Sequence, residues 1–262
     1  MCRLTLSLVA CVGLVGAAFA AAPQEAAVQG IYEGACKDAK GEQKIEARVV
    51  AWGKGTYKVF VRQPLAEGKV AKVELDGKTE GESIRFAGKA GDAQWAASYA
   101  AGTIKGTCGE GGTLVMKRVV RESPTLGEKP PAGAIVLLDG KNFDELTTRP
   151  GRSATEQAWK LVDGGGIVVP RGGMSSKRQL AGSFKLHIEF RLPLIPAARD
   201  QGRANSGVYL LDAYEVQILD SFGLIHTSGD CGGLYNLARA KVNTCLPPEV
   251  WQTYDITVRA AR

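Results

Sequence analysis

The sequence predicts an all-β protein with two domains. Segments with strand-like alternation of apolar and polar residues recur along the chain, and glycine-rich turns separate them; glycine occurs 33 times. Apolar residues make up 45% of the chain and charged residues 23%, which is typical of a globular protein. The length of 262 residues is enough for one large or two modest domains.

Residues 1–20 are predicted to be a signal peptide. Arg3 is the only charge before an apolar run that ends at Phe19, and Ala18–Ala20 has the form of an A-x-A cleavage site. A lipoprotein signal ending at Cys11 is an alternative, although its apolar core would be very short. No later stretch is long and apolar enough to span a bilayer. We therefore expect an exported protein, secreted or periplasmic, without a membrane span.

Residues 28–121 are predicted to form a small β-sandwich or barrel. Turn signals such as Asp76-Gly77 and Gly53–Gly55 separate the strand-like segments. The range contains no histidine and no group of residues suited to catalysis, so a binding or spacer role is expected. The predicted strands are Gly30–Gly34, Lys44–Ala51, Gly55–Val61, Val70–Leu75, Ser83–Ala87, Ala93–Ala100, Gly102–Gly106 and Gly112–Val119.

The net charge of +6 does not indicate a nucleic acid partner. Neither half of the chain has a dense basic run or interleaved basic and aromatic residues. We interpret the excess charge as a solvated basic surface.

Four cysteines lie beyond the predicted signal peptide, and they allow three pairings. The simplest pairing keeps each bond inside one domain, as Cys36–Cys108 and Cys231–Cys245. The second bond would close a short loop, worth about 3 kcal/mol in the chain-entropy model. A metal site is the alternative, but no CxxC or HxxxH spacing is present.

Residues 122–133 are predicted to be a stiff, extended linker, because three prolines and two glycines stand among few apolar side chains. The second domain then covers residues 134–262. It contains a predicted hairpin over residues 158–169, with Asp163-Gly164 at its turn. Further predicted strands are Ser183–Leu192 and Trp251–Val258.

Residues Asn205–Asp220 are predicted to form a second hairpin, with its turn at Asp212–Ala213. Because strand side chains alternate, Glu215 and Gln217 share one face and the apolar residues between them share the other. A carboxylate and an amide in mid-strand are unusual for a purely structural strand. Both are therefore candidate functional residues.

An ordered series of motifs runs through the second domain: LLDGKNFDEL, the hairpin at Trp159–Gly164, SFKLHIEFRL, NSGVYL, YEVQILD, CGGLYN and WQTYDITV. This series resembles the 3-keto-disaccharide hydrolase domain family. The resemblance implies a concanavalin-A-like jelly-roll β-sandwich. Members of that family continue with further strands, including a Gln-Asp-His-Gly segment, where this sequence stops at Arg262. We therefore expect a jelly roll that lacks its last strands.

The resemblance also implies cleavage of 3-keto-glycosides or 3-keto-disaccharides. A ketone at sugar C3 acidifies the C2 proton, a base removes that proton, and the enolate expels the C1 oxygen substituent. Water can then add back. On the implied fold, Glu215 and Glu189 are the candidate acid/base carboxylates, because both point away from the core. A divalent metal ion held by these carboxylates would serve the enolate equally well.

Other polar side chains are candidates for substrate binding under the same resemblance. Arg191 is suited to stabilising developing negative charge. The alternative is that Glu189 and Arg191 only form ion pairs with neighbouring strands on a solvent-exposed face. His187, beside Glu189, is a candidate for proton transfer, and His226 is expected to be incidental. The candidates for hydrogen bonds to the sugar are Asn205, Tyr209 and Gln217, with Asp220 and Lys177 as weaker ones.

A non-catalytic carbohydrate-binding module is the alternative function, because jelly rolls serve both purposes. A binding module needs exposed aromatic side chains that stack on sugar rings. The tryptophans of the second domain, Trp159 and Trp251, lie in strand-like contexts where core packing is expected. The enzyme is therefore favoured, with an oligosaccharide or glycoside as its partner.

Overall fold

The computed structural model of the chain is all-β, as predicted. It describes residues 3–7, 24–64, 70–149, 159–162, 165–170 and 172–260. Strands make up about half of the described residues, and helices only a small part. Strand β1 spans Arg3–Ser7, and the one short α-helix of the described residues, α1, spans Gln24–Val28. No helix among the described residues is long and apolar enough to cross a membrane.

The first domain is a closed antiparallel barrel, and each predicted segment forms one of its strands. The strands are β2 (Gly30–Asp38), β3 (Gly41–Gly53), β4 (Thr56–Pro64), β5 (Val70–Glu80), β6 (Ser83–Ala90), β7 (Ala93–Ala100), β8 (Thr103–Cys108) and β9 (Gly112–Val119). Pairing of β9 with β2 closes the ring, so these strands leave no free edge. The predicted disulfide between Cys36 and Cys108 is present and ties β2 to β8.

The turn predicted at Asp76-Gly77 is wrong, because both residues lie inside β5. Gly77 pairs with Phe86 of β6. A Cβ atom at Gly77 would lie 2.5 Å from Phe86 Cδ1 and 2.9 Å from Tyr57 Cβ. The two aromatic rings meet edge to face in the barrel interior, with centroids 6.2 Å apart. Glycine is therefore required here by close packing and not by a turn.

We expect Gly77→Ala to lower the free energy of unfolding by about 1–3 kcal/mol, because the new methyl group overpacks the barrel interior. Urea denaturation measures the change. Ser98→Ala, at an exposed position of β7, is the control and should change stability by less than about 0.5 kcal/mol. Equal stability of the Gly77 variant and the wild type would mean that the Phe86 ring moves aside freely.

The second domain packs two antiparallel sheets face to face. One sheet has the order β10-β13-β1-β15-β16 among the described residues; the other pairs β14 with β17, and β11 with β12 forms the predicted separate hairpin. The Asp163-Gly164 turn lies outside the described residues. The strands are β10 (Leu146–Arg149), β11 (Lys160–Val162), β12 (Gly166–Val168), β13 (Gly173–Gln179), β14 (Phe184–Arg191), β15 (Ser206–Leu210), β16 (Tyr214–Ile218) and β17 (Trp251–Val258).

Strand β1 lies between β13 and β15. Residues of the predicted signal peptide thus form part of this sheet. The predicted cleavage site at residues 18–20 lies outside the described residues, so the signal peptide stays a prediction.

The core of the sandwich lies between its two sheets. Phe190 of β14 packs against Tyr254 of β17, with ring centroids 4.8 Å apart. Val208 of β15 and Ile218 of β16 belong to the same buried cluster. Because the apolar faces of both sheets meet here, the intervening side chains of each sheet point to opposite outer surfaces. This decides which polar residues can share a site.

The linker over residues 122–133 is not extended as predicted. It contains no strand or helix, and two turns fold it: Leu126 N donates to the Ser123 carbonyl and Glu128 N to the Thr125 carbonyl. The Ser123 hydroxyl oxygen accepts a hydrogen bond from Thr253 N of β17. Hydrogen bonds to the β14–β17 sheet therefore hold the linker against the domain.

Candidate functional site

The hairpin predicted at Asn205–Asp220 is present as β15 and β16. Its turn comes one residue earlier than predicted, since Leu211 and Asp212 have left-handed backbone conformations with φ of 58° and 53°. Glu215 and Gln217 lie on the outer face of β16, as the alternation predicts, while Ile218 faces the core.

The Glu215 carboxylate is held by two features of β15. Tyr209 pairs with Glu215 across the strands, and its hydroxyl donates a hydrogen bond of 2.8 Å to Glu215 Oε2. The neighbouring Gly207 leaves room for the other oxygen, because a Cβ atom there would lie 2.1 Å from Glu215 Oε1. The NSGVY segment therefore supplies both an anchor and a space for this carboxylate.

Electrostatics make Glu215 a better base than an ordinary carboxylate. Burial raises the pKa of Glu215 above its usual value, and the hydrogen bond from Tyr209 only partly offsets this. Burial, followed by the hydrogen bond to Glu215, raises the pKa of Tyr209 to about 12, so its phenol stays protonated. A half-buried carboxylate with a raised pKa and a fixed orientation is suited to general acid–base catalysis.

A network of three amides lies beside this pair. The Gln201 Oε1 atom accepts hydrogen bonds from Asn205 Nδ2 at 2.6 Å and from Gln217 Nε2 at 2.8 Å. Gln201 Nε2 donates to the Gly229 carbonyl at 2.9 Å. Gln201 thus brings together Asn205 and Gln217, two of the candidates for hydrogen bonds to the sugar. Gln201 was not predicted, because it lies in a loop without strand alternation.

One hydrogen-bonding atom of Gln217, the side-chain oxygen Oε1, has no partner among the described residues. The residue is 0% exposed, and its Oε1 accepts no hydrogen bond from the described residues. A buried acceptor without a donor is costly, but this oxygen has no contact with solvent, so the members of the network that a ligand can reach are Gln201 and Asn205. Tyr235 lies close by: a Cβ atom at Gly229 would be 3.7 Å from its ring. Tyr235 was not singled out, although it belongs to the CGGLYN motif.

Asp220 does not belong to this site. It is 1% exposed, and its Oδ2 accepts a hydrogen bond of 2.5 Å from Arg203 Nη2. Burial raises the pKa of Asp220 to about 6 even though Arg203 lowers it. The geometry does not support the predicted role in substrate binding, because both of these charges are buried and paired with each other.

Glu189 and Arg191 lie on the surface opposite Glu215. Both are on the outer face of β14, whereas Glu215 is on the outer face of the other sheet. Packed sheets stand about 10 Å apart, so the two carboxylates cannot act on one substrate atom. The geometry does not support Glu189 as the catalytic partner or Arg191 as a substrate ligand. Arg191 stacks instead on Trp251, with Cζ 5.4 Å from the ring centroid.

The same separation means that Glu215 and Glu189 cannot hold one metal ion. The described residues contain no group of three or more His, Cys, Asp or Glu side chains placed to bind a metal. The metal site considered on the pair of carboxylates therefore does not fit these residues.

Glu189 and His187 secure the linker. Gly127 N donates to Glu189 Oε1 at 2.6 Å, and Thr125 Oγ1 donates to Asp255 Oδ2 at 2.6 Å. His187 lies between the two carboxylates, 2.7 Å from Asp255 Oδ1 and 3.4 Å from Glu189 Oε1. Its position far from Glu215 does not support proton transfer to substrate, so we assign it to linker docking.

We expect the contribution of His187 to stability to fade as pH rises. Burial lowers the pKa of His187, but the hydrogen bonds to Asp255 and Glu189 outweigh burial and raise it. The contribution is therefore full below about pH 6.5 and is lost as pH passes the higher folded-state pKa. His187→Gln should abolish this pH-dependent part, less than about 1 kcal/mol at an exposed site, in urea denaturation at pH 6 and pH 9.

His226→Gln is the matched control for that experiment. His226 Nε2 contacts the Ala240 carbonyl in a loop and approaches no carboxylate of the described residues. The His226→Gln variant should show the same difference in the free energy of unfolding between pH 6 and pH 9 as the wild type. An unchanged difference between pH 6 and pH 9 in the His187 variant would contradict the docking role.

Two further predicted positions have other surroundings. Lys177 is exposed on β13, three strands from β16, which is about 14 Å across the sheet. Its charge instead helps to lower the pKa of Glu145, after the larger effect of the Arg178 hydrogen bond. Trp251 is 37% exposed, so the expectation that it packs in the core is wrong.

The second predicted disulfide is also absent. Cys231 and Cys245 are buried free thiols that are hydrogen-bonded to each other and not covalently joined. Each makes other contacts: Cys231 Sγ lies 3.1 Å from the Tyr254 hydroxyl, and Cys245 Sγ donates to the Leu219 carbonyl at 3.6 Å. The loop between the cysteines is held to β16 by backbone hydrogen bonds and does not depend on a covalent link.

Comparison with known proteins identifies the second domain only. Residues 133–262 match the family model of the 3-keto-alpha-glucoside-1,2-lyase-like domain. The match begins one residue before the predicted boundary, confirms the resemblance found in the motifs, and includes Tyr209, Glu215 and Gln217. No curated protein and no solved structure matches the chain.

Proposed function

The second domain of this chain belongs to the 3-keto-alpha-glucoside-1,2-lyase-like family, and from this we propose that the protein cleaves 3-keto-glycosides or 3-keto-disaccharides by elimination. The family indicates a carbohydrate-related domain. The observation that carries the finer proposal is the Glu215 carboxylate, which combines a raised pKa with an orientation fixed by the hydrogen bond from Tyr209.

We assign proton transfer to Glu215. It removes the proton from C2 of the sugar, and the electron pair of the C2–H bond forms the enolate with the C3 ketone. Collapse of the enolate forms the C1–C2 double bond and breaks the bond from C1 to the glycosidic oxygen. The leaving oxygen takes a proton, which the protonated Glu215 supplies in this proposal. Tyr209 keeps the carboxylate oriented throughout.

The amide network is suited to holding the sugar. Gln201 and Asn205, which solvent can reach, hydrogen-bond the sugar hydroxyls, while the buried Gln217 holds Gln201 in place. Fixing the ring in this way keeps the C2 proton within reach of the carboxylate, which is the orientation effect on which such catalysis depends. The already ordered amides add little entropy cost on binding.

The proposal is tested by incubating the protein with a 3-keto-glucoside that carries a chromogenic leaving group, with and without a chelator. We expect release of the leaving group together with a 1,2-unsaturated 3-keto sugar, detected by NMR. The parent glucoside, which has a C2 proton that no ketone acidifies, should not react. Binding of the 3-keto-glucoside without turnover would replace the proposal by the carbohydrate-binding module.

We also propose that the protein is exported, to the periplasm or outside the cell. The proposal depends on the charge, apolar run and A-x-A sequence of residues 1–20. N-terminal sequencing of the protein recovered after expression with its own leader tests this. A mature chain that begins at Ala21 is expected, and a chain that keeps Arg3 would overturn the proposal.

A further inference from the structure

We propose that the barrel domain takes part in the site of the second domain, because Trp52 of β3 positions the loop that carries Gln201. The effect on activity depends on the function proposed above, whereas the effect on the loop itself does not. Trp52 touches no substrate in this proposal. It is a positioning residue that acts through the amide network.

Trp52 contacts the loop on both sides of Gln201. The Arg199 guanidinium stacks on the indole, with Cζ 3.9 Å from the ring centroid, and its Nη2 donates to the Trp52 carbonyl at 2.5 Å. Arg203 Cζ lies 5.9 Å from the same ring. The two arginines stand two residues before and two residues after Gln201. One barrel side chain therefore holds both ends of this short segment.

The segment needs such support because its backbone is strained. Asp200 and Ala204 adopt left-handed conformations, with φ of 46° and 51°, which cost roughly 1 kcal/mol each for residues other than glycine. The segment between them is a single 3-10 turn over Asp200–Gly202, and no side chain caps its first residue. Without outside contacts, such a turn would populate other conformations.

The segment is also attached to the catalytic hairpin. Arg203 Nε donates to the Asp220 carbonyl at 2.9 Å, just beyond the end of β16. Gln201 Oε1 and the Gly229 carbonyl both accept from Gln217 Nε2, at 2.8 and 3.3 Å. A shift of the loop would therefore displace Gln201 from Gln217 and from the face that carries Glu215.

The contact belongs to an extensive interface between the domains. Val50 of β3 is part of the same buried cluster as Phe222 of the second domain. Arg48 Nη1 donates to the Asn243 carbonyl at 3.1 Å. At the turn after β3, a Cβ atom on Gly53 would lie 3.0 Å from Ala197 Cα. This close approach brings β3 directly onto the chain that leads into the Gln201 loop.

The test compares four variants of the full chain. Trp52→Leu removes the stacking surface, and Trp52→Phe keeps an aromatic ring at the same place. Arg199→Lys keeps the charge but loses the planar guanidinium that stacks on Trp52. Phe60→Leu is the matched control, because Phe60 packs at the same interface near Gly223 without contact to the Gln201 loop.

Hydrogen exchange followed by mass spectrometry measures how well the loop is ordered. Steady-state kinetics measure kcat and KM, which report on the site. In Trp52→Leu and Arg199→Lys we expect faster amide exchange in residues 199–205, and a KM raised by about tenfold, the effect of roughly one hydrogen bond, with kcat nearly unchanged. Trp52→Phe should have an amide exchange rate and a KM that are both closer to the wild-type values. Phe60→Leu, with a similar loss of thermal stability, should change neither.

Two results would overturn the inference. Exchange in residues 199–205 that is equal in Trp52→Leu and the wild type would show that Trp52 does not hold the loop. Faster exchange with an unchanged KM would show that the loop does not serve the site. A wild-type protein without turnover would contradict the proposed function, and the exchange experiment would still decide whether Trp52 holds the loop.

Discussion

Glu215→Gln is expected to lower kcat for a 3-keto-glucoside by about 10²–10⁴-fold, the usual contribution of a positioned general acid–base group. Glutamine has the same shape, and its side-chain oxygen can still accept the hydrogen bond from Tyr209. Its amide cannot take the C2 proton. Since the replacement fits the space above Gly207, the melting temperature should change little, and KM should remain within a few-fold of the wild-type value.

Glu189→Gln is the matched control, because the two variants differ only in which outer surface of the sandwich carries the change. It should leave kcat and KM at wild-type values, while weakening the hydrogen bond from Gly127 in the linker. Stopped assays that measure leaving-group release for both variants show which of the two carboxylates is needed for turnover. Normal turnover in the Glu215 variant would remove this residue from its role, and a loss confined to the Glu189 variant would move the site to the opposite surface.

Asp220→Ala is expected to have the largest effect on stability, a loss of about 3–5 kcal/mol. The substitution leaves the Arg203 guanidinium buried without its carboxylate, and the side chain of Arg203 is only 2% exposed. A double variant in which Arg203→Met accompanies Asp220→Ala should recover part of the loss, because no charge then remains buried. Thermal and urea denaturation measure all three proteins.

Glu145→Ala provides the comparison with an exposed ion pair. Arg178 donates to both oxygens of Glu145 at 2.7 and 3.0 Å, but both side chains are in contact with water, so the loss of stability should be far smaller than that of Asp220→Ala. If Glu145→Ala and Asp220→Ala lowered the free energy of unfolding equally, burial of the Asp220–Arg203 pair would not be the reason for the large effect.

The pH dependence offers a second check on Asp220. Its pKa of about 6 lies above the value expected in the unfolded chain, so the folded protein holds this proton more tightly. The contribution of Asp220 to stability should therefore fall as the pH rises from about 4 to about 6.

Local pattern was sufficient for much of the fold and for the polar face that carries the candidate site. Alternation with period two predicts all the barrel strands, the strand at Phe184–Arg191 and the face of the hairpin that carries Glu215 and Gln217. The prediction failed at Gly77, where a glycine looks like a turn residue but serves the packing of Phe86. A sequence shows that glycine is needed at a position without showing whether a turn or a neighbouring ring requires it.

The sequence by itself determined that this is an all-β protein, that its second domain carries the family's motifs, and which face of each strand is polar. These are properties of neighbouring residues, because the direction of a side chain on a strand depends on the residue's place in the alternation. Only the tertiary structure decided that Glu189 and Glu215 lie on opposite surfaces, that Asp220 is paired with Arg203, and that Gln201 and Trp52 join the site. Those facts depend on which sheet faces meet and how the barrel docks, and they bring together residues as distant in the chain as Trp52 and Arg199.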